Sequence, residues 1–168
     1  MSAPVAPVAG AAHAARPVRS KTLATWIAVV GGALGLHRFY LHGMRDPWGW
    51  LHPLPALAGL AGVVRMRNLG QDDTLSWLLV PLLGFTLSAG FLAAIVIGLT
   101  PDAKWARLFG RRQGLPEVDP EQLLPEERTA WAPVLGVILA LVVGGAVLMG
   151  TIAFSGQMYF QYEKQQGH

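Results

Sequence analysis

Cysteine is absent from the 168 residues of this chain. That excludes disulfides, thiolate metal centres and cysteine nucleophiles, and it leaves the redox compartment without a marker. Charge is the second shortage. Asp, Glu, Lys and Arg make up 14% of the chain, against roughly 25% in soluble domains. With 52% hydrophobic residues and a mean hydropathy of +0.40, so few charged groups would not cover a soluble protein of this size. The two longest apolar stretches, Leu75 to Leu99 and Trp131 to Phe154, hold no ionisable residue. They therefore offer no buried acid, base or proton relay of the kind that intramembrane catalysts and pumps use. A Gly-rich nucleotide loop and a nucleic-acid module are missing as well. The small positive excess of +3 is mostly arginine beside apolar segments, which suits lipid headgroups better than a nucleic-acid groove.

What is present is apolar sequence gathered in blocks rather than at amphipathic spacing, so hydrocarbon is its expected solvent. Residues 1–19 form an Ala/Pro/Val-rich arm with Pro4, Pro7 and Pro17, expected to be disordered. A cleaved signal peptide would begin with charge, whereas Arg16, Arg19 and Lys21 follow a long neutral arm, so the first apolar block is expected to be an uncleaved helix. That block runs from Leu23 to Leu41, with Arg38 reaching back to the headgroups. His42 to Trp50 is a turn carrying Gly43, Asp46 and Pro47. A second block, Trp48 to Val64, has tryptophans at its start and Arg65 and Arg67 beyond its end, the flanks of a spanning helix. Its length and prolines leave a re-entrant or interfacial segment open as the other reading.

The polar turn 68–74 precedes a transmembrane helix at 75–99, with Asp72 and Asp73 placed to cap it. Residues 100–130 are a polar loop. Its opening, Asp102 to Arg112, reads as an amphipathic helix with Trp105, Leu108 and Phe109 on one face and Lys104, Arg107 and Arg111 around it. Aromatics in the interface and basic groups on phosphates are the expected arrangement. A further transmembrane helix covers 131–156, and 157–168 is a polar tail. The expected fold is an all-α integral membrane protein, a bundle of about four transmembrane helices with one interfacial amphipathic helix.

Orientation is in conflict under that count. With four crossings and the N-terminus inside, Arg16, Arg19, Lys21, Arg65, Arg67 and Lys164 fall inside. Arg38, Arg45, Lys104, Arg107, Arg111, Arg112 and Arg128 then fall outside, and the positive-inside rule finds no imbalance. If the second block did not cross, the basic 101–130 loop would move inside.

Several residues are candidates for a role. Gly31 and Gly35 lie four apart on one helix face, letting another helix approach closely; Ala140/Gly144 and Ala146/Gly150 offer a second such face in the last helix. Arg38, Phe39, Tyr40 and Arg45 fall where an apolar helix meets the headgroup layer, as do Lys104, Trp105, Arg107 and Arg111 farther along. Frequent glycine and general interfacial anchoring would account for the same residues. His37, His42 and His52 are spaced at five and ten residues, which matches no helical metal-ligand pair. No metal, cofactor or catalytic residue is expected.

The stretch Ser20 to Gly43 resembles the opening of the TM2 domain family on Ser20, Lys21, Gly31, Gly32, Gly35, His37, Arg38, Phe39, Tyr40, Leu41 and Gly43. The resemblance extends over about residues 20–66, more loosely in the second block, where Val63-Val64-Arg65 stands in place of the usual Trp and Asp. It implies a helical hairpin in a membrane and no catalytic activity. The expectation is a non-catalytic, multi-pass protein of a bacterial cytoplasmic membrane, packing against partner helices as a homo- or hetero-oligomer and contacting lipids. The alternative is a small oligomeric transporter or channel subunit lined by Thr86, Ser88 and Thr151. A lipid-modifying enzyme using His37, Arg38 and Asp46 is the third reading.

Overall fold

The computed structural model describes residues 19–110 and 131–166, which form helices joined by short turns, with no strand among them. The elements are α1 (Lys21–Gly31), a 3-10 turn (Gly32–Leu34), α2 (Leu36–His42), α3 (Pro47–Leu51), α4 (Pro53–Leu69), α5 (Thr74–Leu99), α6 (Asp102–Gly110) and α7 (Trp131–Gln166). Two of them, α5 and α7, are long and apolar enough to cross a membrane.

The first block does not form one helix. Ser20 caps α1 by accepting a hydrogen bond from the Leu23 amide, but regular helix stops at Gly31. The chain tightens into the 3-10 turn and reaches Gly35 at φ +70°, a left-handed conformation that glycine adopts without steric cost. There the backbone reverses, and α2 runs back beside α1. The Tyr40 hydroxyl accepts a hydrogen bond from the Ser20 amide at 3.0 Å, and Leu41 joins the buried cluster that contains Ala24 and Ala28. Gly31 and Gly35, expected on one face, share none: a Cβ on Gly31 would strike Leu36 of the same hairpin, and Gly35 is the turn itself.

α5 is the central element. α4 packs antiparallel to it, with Gly59 against Leu83 and Gly62 against Leu79 and Val80. α7 packs along another side in a repeating register. Gly98 meets Val137, Phe91 meets Gly144 and Gly84 meets Thr151, steps of seven residues on both helices. That is the spacing of helices crossing at a shallow angle, with a large group on one filling the notch left by a small one on the other. The expected Ala140–Gly144 pair thus faces α5 within the chain, Ala140 being fully buried.

α6 lies across one end of the bundle. Lys21 pairs with Asp102 and also donates to the Thr100 carbonyl. The Trp105 indole donates to the Arg19 carbonyl at 2.7 Å. Trp105 is only 6% exposed and belongs to the core cluster with Ala24, Ile97 and Ala140. This corrects its expected headgroup position: an indole that can bury its body on α1 and α5 and still satisfy its N–H turns inward.

Candidate functional site

At two corners a polar cluster is built around an Arg–Asp pair. The first is where α2 turns into α3. Asp46 caps α3, one carboxylate oxygen accepting from the Trp48 amide at 3.1 Å and the other from Arg38 Nε at 2.9 Å. His42 Nδ1 stands 3.8 Å from the same oxygen as Arg38. Partial burial pushes the Asp46 carboxyl up. The Arg38 and Trp48 hydrogen bonds, with the charges of Arg38 and His42, outweigh that and hold it below its ordinary range.

Around this ion pair the backbone is drawn close. Phe39 lies over Gly49, where any side chain would collide with its ring, and it meets Trp50 edge-on at 5.2 Å. The Trp50 indole donates to the Met44 carbonyl at 3.0 Å. Gly35 is pressed against His52 and the Gly49 carbonyl. His37 and His52, fifteen positions apart, are brought ring to ring, with centroids 6.0 Å apart and planes nearly perpendicular. His52 Nδ1 lies 3.1 Å from the Trp48 carbonyl, which places a proton on that nitrogen in the neutral ring. His37 is 6% exposed, and its Nδ1 has no hydrogen-bond partner.

The second corner is at the opposite end of the bundle. Arg65 grips Asp73 with two parallel hydrogen bonds of 3.0 and 2.9 Å, and the Ser76 hydroxyl donates to the same carboxylate. The Arg65 fork first, and Ser76 second, pull the Asp73 carboxyl down to about 2. Asp73 does stand at the N-cap of α5. Its side chain, however, is spent on Arg65, so it ties α4 to α5 as well as starting a helix.

The expected interface residues separate. Arg38, Phe39 and Arg45 share the first corner, whereas Tyr40 points back to Ser20 with Arg19 over its ring at 5.9 Å. Lys104 and Arg107 are exposed on α6, Trp105 is interior, and Arg111 lies outside the described residues. The sequence marks Gly32 only through the family resemblance, and it gives no sign of the Gly32–Gly90 approach or the His37–His52 contact. Among the described residues no group of three or more His, Asp or Glu side chains converges as a metal site.

The hydroxyls within the long helices are satisfied locally. Ser88 donates to the Gly84 carbonyl, Thr151 to Val147, Ser155 to Thr151 and Thr100 to Val96, each four residues back. No known protein family, curated protein or solved structure matches this chain.

Proposed function

We propose that this chain is a non-catalytic, multi-pass integral membrane protein whose work is to pack helices and contact lipid, alone or as a subunit of a complex. The observation that carries the reading is the exposure of α5 and α7. In their most apolar eighteen-residue stretches only 22% and 17% of residues are buried inside the chain. Leu78, Leu92, Val96, Leu141, Val142 and Met149 are all at least 60% exposed. A soluble protein hides its most apolar helices, and apolar surface on this scale calls for lipid or a partner helix. Hydroxyls that donate to their own helix, as at Ser88 and Thr151, suit the same solvent.

The helix geometry favours three crossings rather than four. α1 and its 3-10 turn cover residues 21–34, which is about 20 Å of rise, short of the roughly 30 Å hydrocarbon layer. The chain then doubles back, so residues 21–42 are read as a hairpin that enters and leaves from one side. α3 and α4 together, α5, and α7 supply the crossings. Arg19, Lys21, Arg38, Arg45, Lys104 and Arg107 then lie toward the Thr100 end, against Arg65, Arg67 and Lys164 toward the Asp73 end. By the positive-inside rule that imbalance favours the Thr100 end as the cytoplasmic one. The TM2-like reading of residues 20–66 belongs to this proposal and rests on the motif residues. The bacterial membrane rests on a composition rich in Ala, Gly and Arg.

A chain without cysteine is suited to the test, because single cysteines can be introduced at Met44, Lys104, Asn68 and Gln165. With an impermeant thiol reagent on sealed cells, positions 68 and 165 label from outside, and positions 44 and 104 only after the membrane is opened. Labelling of 44 and 68 from the same side would overturn the crossing assignment. A purified chain that stays folded and monomeric in buffer without detergent would overturn the membrane reading itself.

A further inference from the structure

Among the described residues, one buried side-chain nitrogen or oxygen lacks a partner: Nδ1 of His37. Buried polar atoms are almost always satisfied, and elsewhere in this chain even indoles and hydroxyls find carbonyls. The exception falls where three segments meet. The hairpin tip is held by left-handed Gly35, α2 carries His37, and His52 closes the site from the α3–α4 junction.

We propose that His37 is the proton-binding site of an acid-operated latch: as the neutral ring it keeps the α2–α3 corner closed against His52, and protonation opens that corner. The charges around the ring decide the direction. From its own helix it has Arg38 and His42, and from the α3–α4 junction His52. The nearby acid, Asp46, is already held by Arg38 with His42 beside it. Neither α5 nor the 131–158 stretch of α7 contains an ionisable residue. Farther off, Lys21 is engaged with Asp102, and Arg19 lies over Tyr40.

A second positive charge placed beside Arg38 in a buried site gains no counter-ion and loses its water. An imidazole in solvent accepts its proton near pH 6.5. Proton uptake therefore favours the open corner, by about tenfold for each pH unit below that value until the closed ring is itself protonated. The sign is fixed: closure is complete above pH 6.5 and is lost on acidification. The hinges are in place, since Gly35 and Gly43 flank α2 with positive φ. The latch does not depend on the membrane reading and fails or stands separately from it.

The test is amide hydrogen exchange of the full-length protein between pH 7.5 and 4.5, corrected for the intrinsic rate. The expected result is a reversible increase of at least about tenfold across residues 36–52, with α5 and the body of α7 unchanged. His37→Gln and His37→Leu both abolish the acid response, and agreement between a polar and an apolar replacement separates loss of the proton site from mispacking. Asp46→Asn leaves the response in place. The latch is overturned if exchange at 36–52 is flat down to pH 4.5. It is equally overturned if both His37 variants still open, or if the response disappears with Asp46→Asn instead.

Discussion

Gly32 and Gly90 touch backbone to backbone. A Cβ added to Gly32 would stand 2.6 Å from the Gly90 Cα, and one added to Gly90 would stand 2.6 Å from the Gly32 carbonyl carbon. Neither obstacle is the end of a flexible side chain, so neither can step aside. This contact sets how closely the hairpin tip approaches the middle of α5.

Gly90→Ala is therefore expected to destabilise by about 1–3 kcal/mol, the usual cost of overpacking a fitted contact. Gly145→Ala, on α7 where a Cβ meets open space, should change stability by no more than about 0.5 kcal/mol. Unfolding of the two variants in the same detergent by a graded denaturant checks the difference. Equal behaviour would mean that the tip and α5 are not in contact.

Much of the helix inventory was legible because its causes are local. The uncharged runs at 75–99 and 131–154 and the acidic residues before α5 are visible in the residues themselves, whereas the expected turn from His42 to Trp50 gives way at Pro47 to the short helix α3, because Asp46 caps it and proline fits its first turn. The hairpin was not. Leu23 to Leu41 is apolar with helix-compatible glycines, and nothing in its composition separates a helix that continues from one that reverses at Gly35. The four-residue spacing singles out Gly31 with Gly35 rather than Gly32, because it assumes continuous helix, which the 3-10 turn removes. The meeting of His37 with His52 depends on that same reversal, so a linear reading had no route to it.

The proposed three-crossing reading bears on the orientation conflict as well. On the sequence alone, a second block that does not cross restores the charge bias by moving the 101–130 loop inside. Removing a crossing from the first block instead changes the parity in the same way. It also gathers Arg38 and Arg45 with Arg19 and Lys21. Charge counting alone treats the two removals as equivalent and does not choose between them.

Trp105→Ala is expected to cost about 3–5 kcal/mol, the range for emptying a buried aromatic site. Trp105→Phe should cost less, losing the indole hydrogen bond to Arg19 but keeping the ring in the cluster with Ala24 and Ile97. The discriminating measurement is fluorescence in a variant retaining Trp105 as its sole tryptophan. Emission should be little quenched by acrylamide or by lipids brominated near the headgroup. Strong quenching by the lipids would restore the interfacial position expected from the sequence.

The Arg65–Asp73 pair links stability to pH in one direction. Asp73 is held down to about 2 in the folded chain, whereas a free aspartate titrates near 3.9. A depressed carboxyl contributes its full share above the unfolded value and loses it as pH falls through the folded one. The contribution is therefore expected to be constant above about pH 5 and to fade between about pH 4 and pH 2. Asp73→Asn should flatten that part of the curve. Because Arg65 Nε and Nη2 engage the two carboxylate oxygens separately, Arg65→Lys should flatten it too, a single ammonium being unable to reproduce the fork. Unfolding midpoints collected from pH 5 to pH 2 distinguish this corner from the His37 latch, which responds at higher pH. If Asp73→Asn leaves the midpoints below pH 4 on the wild-type curve, the pair does not couple α4 to α5.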